Sequence, residues 1–491
     1  GAGSEHPSRG QAPGAELLLC SFGLNEDDWM NGVQWMIDNA TDSARRLVIN
    51  SSWGMYSFSC LDGRSLLSQA IDSWSDEGIV FVTSAGNNGD NKFHISRDFG
   101  DTHDTLKTCA AFYTYAEDAI GQCLIQWGET GHDFSSCFRM AKDDSVWSSG
   151  FFNTADGDTI LYDTLRCDSI AVPYRVLMER VNPFDGRPHI QFDVHGRGMG
   201  LQLQLLIAAE DGTVHAWNVA DKTNHAGNEG ADFYVGGNEG FQTGDYNYGI
   251  GEPACAAKAI GVAAHHADLW NADSTICYPG ELAYFSSYGP LITGAQKPEI
   301  SAPGYQVNSS ISLWTTTHYS ATATQQQGVN NYIWSLMSGT SMSGPAVTGV
   351  VALLLQANPD LTTDEVREII ITTARNDDQT GPIQANGIAD QRWGWGKIDA
   401  LAAINEAISR VGIRQAEEQS LPLQLWPNPA TDIVNVNTGC GESQLLQVYS
   451  VTGRCMLETP VQTQTSFSTT GWAQGVYIVR VGSRTTKLIV R

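Results

Sequence analysis

GTSMSGPAVTGVVALLL, residues 339–355, sets a serine at the head of a run that closes in apolar residues, Val350 to Leu355. The spacing predicts a buried helix. Gly339 lets the backbone turn tightly into it and leaves room for a substrate. Ser341 then stands where free N–H groups and the helix dipole favour negative charge. Pro345 is expected to be tolerated because first-turn amides lack helical partners. Gly344, Ala346 and Gly349 are small enough for close packing. Gly-Thr-Ser alone would describe only a capped helix, but the whole string reads as a nucleophile. A serine hydroxyl attacks well only when a base takes its proton, so the rest of the chain is read for that base.

The 491 residues allow two or three domains. A hydrophobic content of 42% with 50 glycines fits turn-rich globular structure. The net charge of -26, from 54 acidic and 28 basic residues, excludes nucleic acid, whose binding needs lysine and arginine to displace counterions. It also disfavours anionic membranes and describes a solvated acidic surface. No apolar run approaches the roughly 20 residues of a membrane span. The chain opens Gly-Ala-Gly, not Met, and so is not expected to be the start of the gene product. Ten cysteines without a CxxC pair exclude a zinc-finger pattern and suit an exported protein with some disulfides.

Strand and helix signals alternate over residues 1–92. AELLLCSF (15–22), RRLVINSSWG (45–54) and IVFVTSAGN (79–87) read as strands. Trp29, Val33, Ile37 and Ala40 mark one helix; Leu67, Ile71 and Trp74 mark another, stopped by Gly78. This predicts a parallel sheet with helices on both faces and a site beyond its strand ends. From 93 to 247 the helical period vanishes. FFNTADGDTILYD (151–163) and LQLQLLIAAEDGTVHAWNV (201–219) each read as two strands around an Asp-Gly turn, giving an inserted β-sandwich or jelly roll. GNEG, at 227–230 and 237–240, reads as loop, and structural calcium there is not supported. The α/β pattern resumes over 248–412, with a capping box at Thr362 and Glu365. Residues 413–420 read as a linker, and 421–491 as a small Ig-like sandwich.

The string GTSMSGPAVTG resembles the serine segment of the subtilisin-like serine proteases, the subtilases. SAGNNG (84–89), SSWG (51–54), AYFSSYGP (283–290), KPEISAPG (297–304) and GWGKIDALAAI (394–404) resemble further segments of that family, in family order. The resemblance implies Ser341 as nucleophile and the Asn87 amide as oxyanion donor. It implies a substrate-binding surface from Ser51, Ser52, Trp53, Gly54, Ser84, Ala85, Gly86, Gly339 and Thr340. Glu252-Pro253 falls where relatives carry a cis proline. The 254 positions between Asn87 and Ser341 are explained by the insert, as in the clostridial germination proteases, which HAWNV (215–219) loosely resembles.

The family's aspartate and histidine tripeptides do not occur. His6 reads as solvated, and His265 and His266 as surface or supporting residues. GAGSEHPSRGQAPGAELLL resembles the stretch that follows the family's histidine helix, so both missing groups are expected upstream of this chain. LWPNPATDIVNV (425–436), VYSVTGR (448–454) and GVYIVRVGSRTTKLIVR (475–491) resemble the C-terminal sorting domains of type IX secretion, opened by Pro427-Asn428-Pro429 and closed by Arg491. That implies a Bacteroidota-type bacterium and a secreted or outer-surface position. Within this domain Cys440 and Cys455 are one conceivable pair. The expected function is a secreted serine endopeptidase acting on proteins or peptides, with no required cofactor and no metal. The alternatives are an inactive subtilase-fold binding or scaffold protein, and a binder whose function resides in the insert.

Overall fold

Val48–Ser51, Val80–Ser84, Ile260–His266 and Ile300–Tyr305 pair in that order into a four-stranded parallel sheet. The computed structural model describes residues 10–21, 26–42, 45–57, 59–100, 104–113, 121–196, 199–220, 229–273, 275–420, 423–439, 441, 443–450, 454–482 and 484–491. Val80–Ser84 is buried at every position, as a strand covered on both faces requires. Alternation along the neighbouring strand shows the two faces. Ile49 packs with Trp29, Val33, Leu67 and Ile71 from the helices Glu26–Asp42 and Leu66–Asp76. Asn50 points the other way and accepts from Thr348 Oγ1 at 3.2 Å, on the helix Thr340–Ala357. The expected strand at 15–22 does not form. Residues 15–21 are coil, with Leu17 and Leu19 62% and 84% exposed. An apolar run favours extended backbone but supplies no partner for a ladder.

Between Ser84 and Ile260 lie two antiparallel sheets. One is built from His94–Asp98, Thr213–Ala220, Gln122–Trp127, His189–Val194, Ile170–Glu179 and Thr159–Cys167. The other is built on Phe233–Tyr234, Leu106–Ala110, Gln202–Ala209, Phe134–Lys142 and Ser145–Ser148. Leu124, Val176 and Phe192 of the first share one core with Leu106, Phe138 and Leu205 of the second, so the sheets form a sandwich. The Asp-Gly turn at 211–212 does not close a hairpin. Gln202–Ala209 and Thr213–Ala220 belong to different sheets, and Gly212 at φ +72° carries the chain across. The nine described cysteines form no disulfide with one another, and six of them are buried. Expected disulfides are therefore not seen among them. Cys440 lies outside the described residues, as do His6 and Gly227-Asn228 of the first GNEG.

Asn405–Arg491 is a second unit. Its sheets, Gln424–Trp426/Ile433–Asn437/Gln464–Ser468 and Cys455–Val461/Gln444–Ser450/Gly475–Val481/Arg484–Val490, enclose Val434, Val436, Val448, Val479 and Leu488. The linker expected at 413–420 is instead helical, the end of Ala400–Ser420. Gln, Ala and Glu fill it without Gly or Pro, and polarity alone does not break a helix.

KPEISAPG contains a buried ion pair. Lys297 Nζ donates to Ala256 O and Ala259 O at 2.8 and 2.7 Å and meets Glu299 Oε1 at 2.9 Å. Glu299 Oε2 accepts the Gly261 N–H at 2.7 Å, and Oε1 accepts from Arg367 at 3.0 Å. The pair thus ties the strands Ile260–His266 and Ile300–Tyr305 to the segments that lead into them. Glu299→Gln keeps an acceptor for Gly261 but strands the Lys297 charge. It should lower unfolding stability by about 3–5 kcal/mol, read as a lower urea midpoint at unchanged slope; a midpoint within error of the parent would contradict this role.

Candidate active site

The helix Thr340–Ala357 begins at Gly339, whose φ of +154° few side chains tolerate. Pro345 is the sixth helical residue, not a first-turn residue as expected. It therefore removes the N–H that would bond the Ser341 carbonyl. Ser52 Oγ replaces it, donating to Ser341 O at 2.9 Å, and Ser341 Oγ donates back to Ser52 O at 3.3 Å. Ser341 and the strand end are thus reciprocally tied. Ser52 was expected only as a pocket wall. The signal that could have found this role is the proline four residues after the serine.

Asn87 is held by Thr340. Its Oδ1 accepts both the Thr340 N–H and the Thr340 hydroxyl, each at 2.9 Å. A backbone N–H only donates, so the atom facing it must be the carboxamide oxygen, and the amide orientation follows. Nδ2 is left to donate on the other side, where it lies 3.5 Å from the position a Cβ on Gly339 would take. Thr340 Oγ1 also accepts the Gly86 N–H at 3.1 Å. Gly86 has φ +110°, and a Cβ there would fall 2.7 Å from Ser287 Oγ. The arrangement can place two uncharged donors, Asn87 Nδ2 and the Ser341 N–H, around one oxygen.

Trp53, Gly54, Tyr56, Ser84, Gly86, Asn87, Gly251, Thr340 and Ser341 line an open cleft of about 310 Å³. Of the expected surface, Ser51 and Ala85 are instead buried beneath it. Tyr56 and Gly251 were missed; Gly251 lies on the chain's return from the insert, and Tyr56, which precedes the insert, is tied to that return. Tyr56 Oη donates to Gly249 O at 2.8 Å and accepts from Asn88 Nδ2 at 2.9 Å. Burial pushes its pKa up to about 12. The Glu252–Pro253 bond is cis. Burial also raises the Glu252 carboxyl, which accepts from Ser59 and Ser68 at 3.0 and 2.8 Å.

No imidazole or carboxylate lines the cleft among the described residues. His265 is buried beside Trp393, and His266 stacks on Tyr305. His94 and His215 form a chain in the insert. Asp245 Oδ1 meets His94 Nδ1 at 3.0 Å, and His94 Nε2 meets His215 Nδ1 at 3.0 Å. A carboxylate only accepts, so His94 donates from Nδ1.

A helix-borne serine beside an anchored carboxamide thus sits on a parallel sheet covered on both faces, an α/β architecture. More than half of the chain, residues 1–109 and 211–396, matches the subtilase family, and the chain belongs to it. Residues 424–491 match the secretion system C-terminal sorting domain, which marks the chain for export to a secreted or outer-surface position. The chain is 38% identical over 121 residues to serine protease AprX of Bacillus subtilis, covering 25% of this chain and 26% of that protein. It is 28% identical over 272 residues to pyrolysin of Pyrococcus furiosus, covering 43% of this chain and 18% of that protein. These matches span about a quarter or less of the relatives' length. The solved CspB protease of Clostridium perfringens shares the fold, with a TM-score of 0.55 at 17% identity over 78% of this chain and 71% of that one. The helix Thr340–Ala357 is long and apolar enough to span a membrane, but here it packs on the sheet.

The buried imidazoles make stability depend on pH. Burial, then Lys397, lowers His265 to about 3; burial, then His94, lowers His215 to about 3. Each takes a proton in the unfolded chain below its ordinary 6.5 and stays neutral in the folded chain until about 3. Between those values the unfolded state binds more protons, so stability falls as pH is lowered through the window. His265→Gln should accordingly gain on the parent as pH falls from about 7 to about 4. A parent–variant difference in urea stability that stays constant over that range would contradict the assignment.

Proposed function

We propose that the protein is a secreted subtilisin-like serine endopeptidase that hydrolyses peptide bonds through an acyl-enzyme. Ser341 Oγ attacks the scissile carbonyl, and the Ser341 N–H and Asn87 Nδ2 receive the oxygen as its charge develops. The observation that carries this reading is the double hold of Thr340 on Asn87 Oδ1. It fixes a carboxamide so that its NH₂ is free to donate, which a structural turn residue does not need. The general base and its orienting carboxylate are assigned to a histidine and an aspartate upstream, because neither family tripeptide occurs in the sequence. In the described residues the Ser341 hydroxyl donates to Ser52 O. That bond favours the second reading, a catalytically inactive binding or scaffold protein on the same fold. The proposed chemistry uses no cofactor. The substrates are proteins or peptides, and the sorting domain is handled by the type IX machinery.

A fluorophosphonate probe separates the readings. The chain alone should label slowly or not at all, because triad members act as a unit. Supplying the upstream segment should restore labelling, and Ser341→Ala should abolish it. Rapid labelling of the chain alone would place a base within it; no labelling with the segment present would favour the binder. In the restored enzyme Asn87→Ala should lower kcat by about 10²–10³ with little change in KM, a magnitude taken from a subtilisin. Thr340→Val should move kcat in the same direction. An effect on KM alone would make Asn87 a pocket residue.

The second unit gives a separate expectation. Removing 421–491 should block export while leaving the α/β unit folded, since its core, Val434 to Leu488, is self-contained. Normal extracellular levels of the truncated chain would contradict this.

A further inference from the structure

Behind the cleft wall, Cys60 and Asp62 meet Asp185, which lies in the insert's turn between Ile170–Glu179 and His189–Val194. One ligand atom from each lies within 4.8 Å of the other two. Cys60 is fully buried, and so is the Asp62 side chain. Cys60 Sγ donates to Asp185 Oδ2 at 2.9 Å, and Asp185 Oδ1 accepts the Arg187 N–H at 2.8 Å. Asp62 Oδ1 accepts the Arg64 N–H at 2.9 Å, but Asp62 Oδ2 is buried without a hydrogen-bond donor. The cation beside it, Arg64 Nε, is 3.7 Å away on a side chain 59% exposed. A buried carboxylate oxygen without a donor is costly, and here it accompanies a second carboxylate and a thiol. A divalent cation would answer all three at once.

We propose that Cys60, Asp62 and Asp185 form a structural site for a borderline-soft divalent cation of the zinc class, tying the inserted sandwich to the loop behind the cleft wall. The sulfur sets the class. Calcium and magnesium take oxygen ligands, calcium six to eight of them, whereas one thiolate, two carboxylates and a water make a tetrahedral zinc-type set. On binding, the thiol gives its proton to solvent and sulfur becomes a ligand; no electron is transferred. The site joins Cys60 and Asp62 of the α/β part to Asp185 of the insert, so occupancy stiffens the junction that carries Trp53, Gly54 and Tyr56.

The full chain, stripped with a chelator, should bind one equivalent of Co²⁺ with a sulfur-to-cobalt charge-transfer band, and Zn²⁺ should abolish that band. Cys60→Ser should lose the band, and Asp185→Asn should weaken Co²⁺ binding by roughly tenfold or more. Serine replacements of the exposed Cys20, Cys277 and Cys455 should retain the band. Zn²⁺ should raise the melting midpoint of the parent more than that of Asp185→Asn, which serves if Cys60→Ser fails to fold. Absence of the band in the parent, its survival in Cys60→Ser, or a midpoint raised by Ca²⁺ and not by Zn²⁺ would overturn the proposal. None of these readouts requires turnover.

Discussion

The Thr340 hydroxyl couples the parts of this site. It is buried, accepts the Gly86 N–H and donates to Asn87 Oδ1. Through it the first residue of the helix Thr340–Ala357 is fixed to the end of the strand Val80–Ser84. A second tie, Ser52 Oγ to Ser341 O, fixes the same helix to the end of Val48–Ser51. It exists because Pro345 leaves that carbonyl without its helical donor. A helix break and a strand end, each unfavourable alone, satisfy one another. The serine is therefore positioned by backbone accounting, and its side chain need not contribute to folding.

The sandwich leaves and rejoins the α/β part beside this point without disturbing it. Asn87 and Asn88 are adjacent in sequence and act on opposite sides. Asn87 faces Thr340, while Asn88 Oδ1 accepts the Gly230 N–H at 2.8 Å and Asn88 Nδ2 donates to Tyr56. On the return path Gly249 O accepts from Tyr56, and Glu252 bridges Met55 through paired backbone hydrogen bonds at 3.0 Å. Entry and exit thus converge on Tyr56, which also lines the cleft. An insertion of this length is tolerated because loop entropy grows slowly with length and both ends are tied to one rigid ring.

Most of the α/β part was legible because its strands are continuous apolar runs and its helices carry a clear 3.6-residue stripe. Trp29, Val33 and Ala40 are buried as the stripe requires, and the capping box at Thr362 forms. What was not legible depends on partners. AELLLCSF has a strand's composition and, among the described residues, no strand beside it. The Asp-Gly turn at 211–212 has hairpin chemistry, yet local sequence does not say which sheet each arm joins. RQAEEQS is polar, which distinguished it from core but not from helix. At the site, the types of Ser341 and Asn87 were readable from their strings. The roles of Ser52 and Thr340 were not, because they lie in hydrogen bonds across 289 and 253 positions.

The chain His215–His94–Asp245 shows why composition does not locate the base. It has the hydrogen-bonded order of a relay, yet it packs against Trp217 and Tyr248, and neither imidazole lines the cleft. The proposed oxyanion half of the site is built from groups that carry no charge, namely a carboxamide and a backbone N–H. Its geometry is set within residues 52–87 and 339–345 and needs no base to hold it. Engaging a base would require Ser341 Oγ to exchange one 3.3 Å hydrogen bond to Ser52 O for another. The net worth of such a bond is only about 1 kcal/mol. The proposed base and the proposed oxyanion donors can therefore be contributed by separate stretches of chain, because the donors are already held without the base.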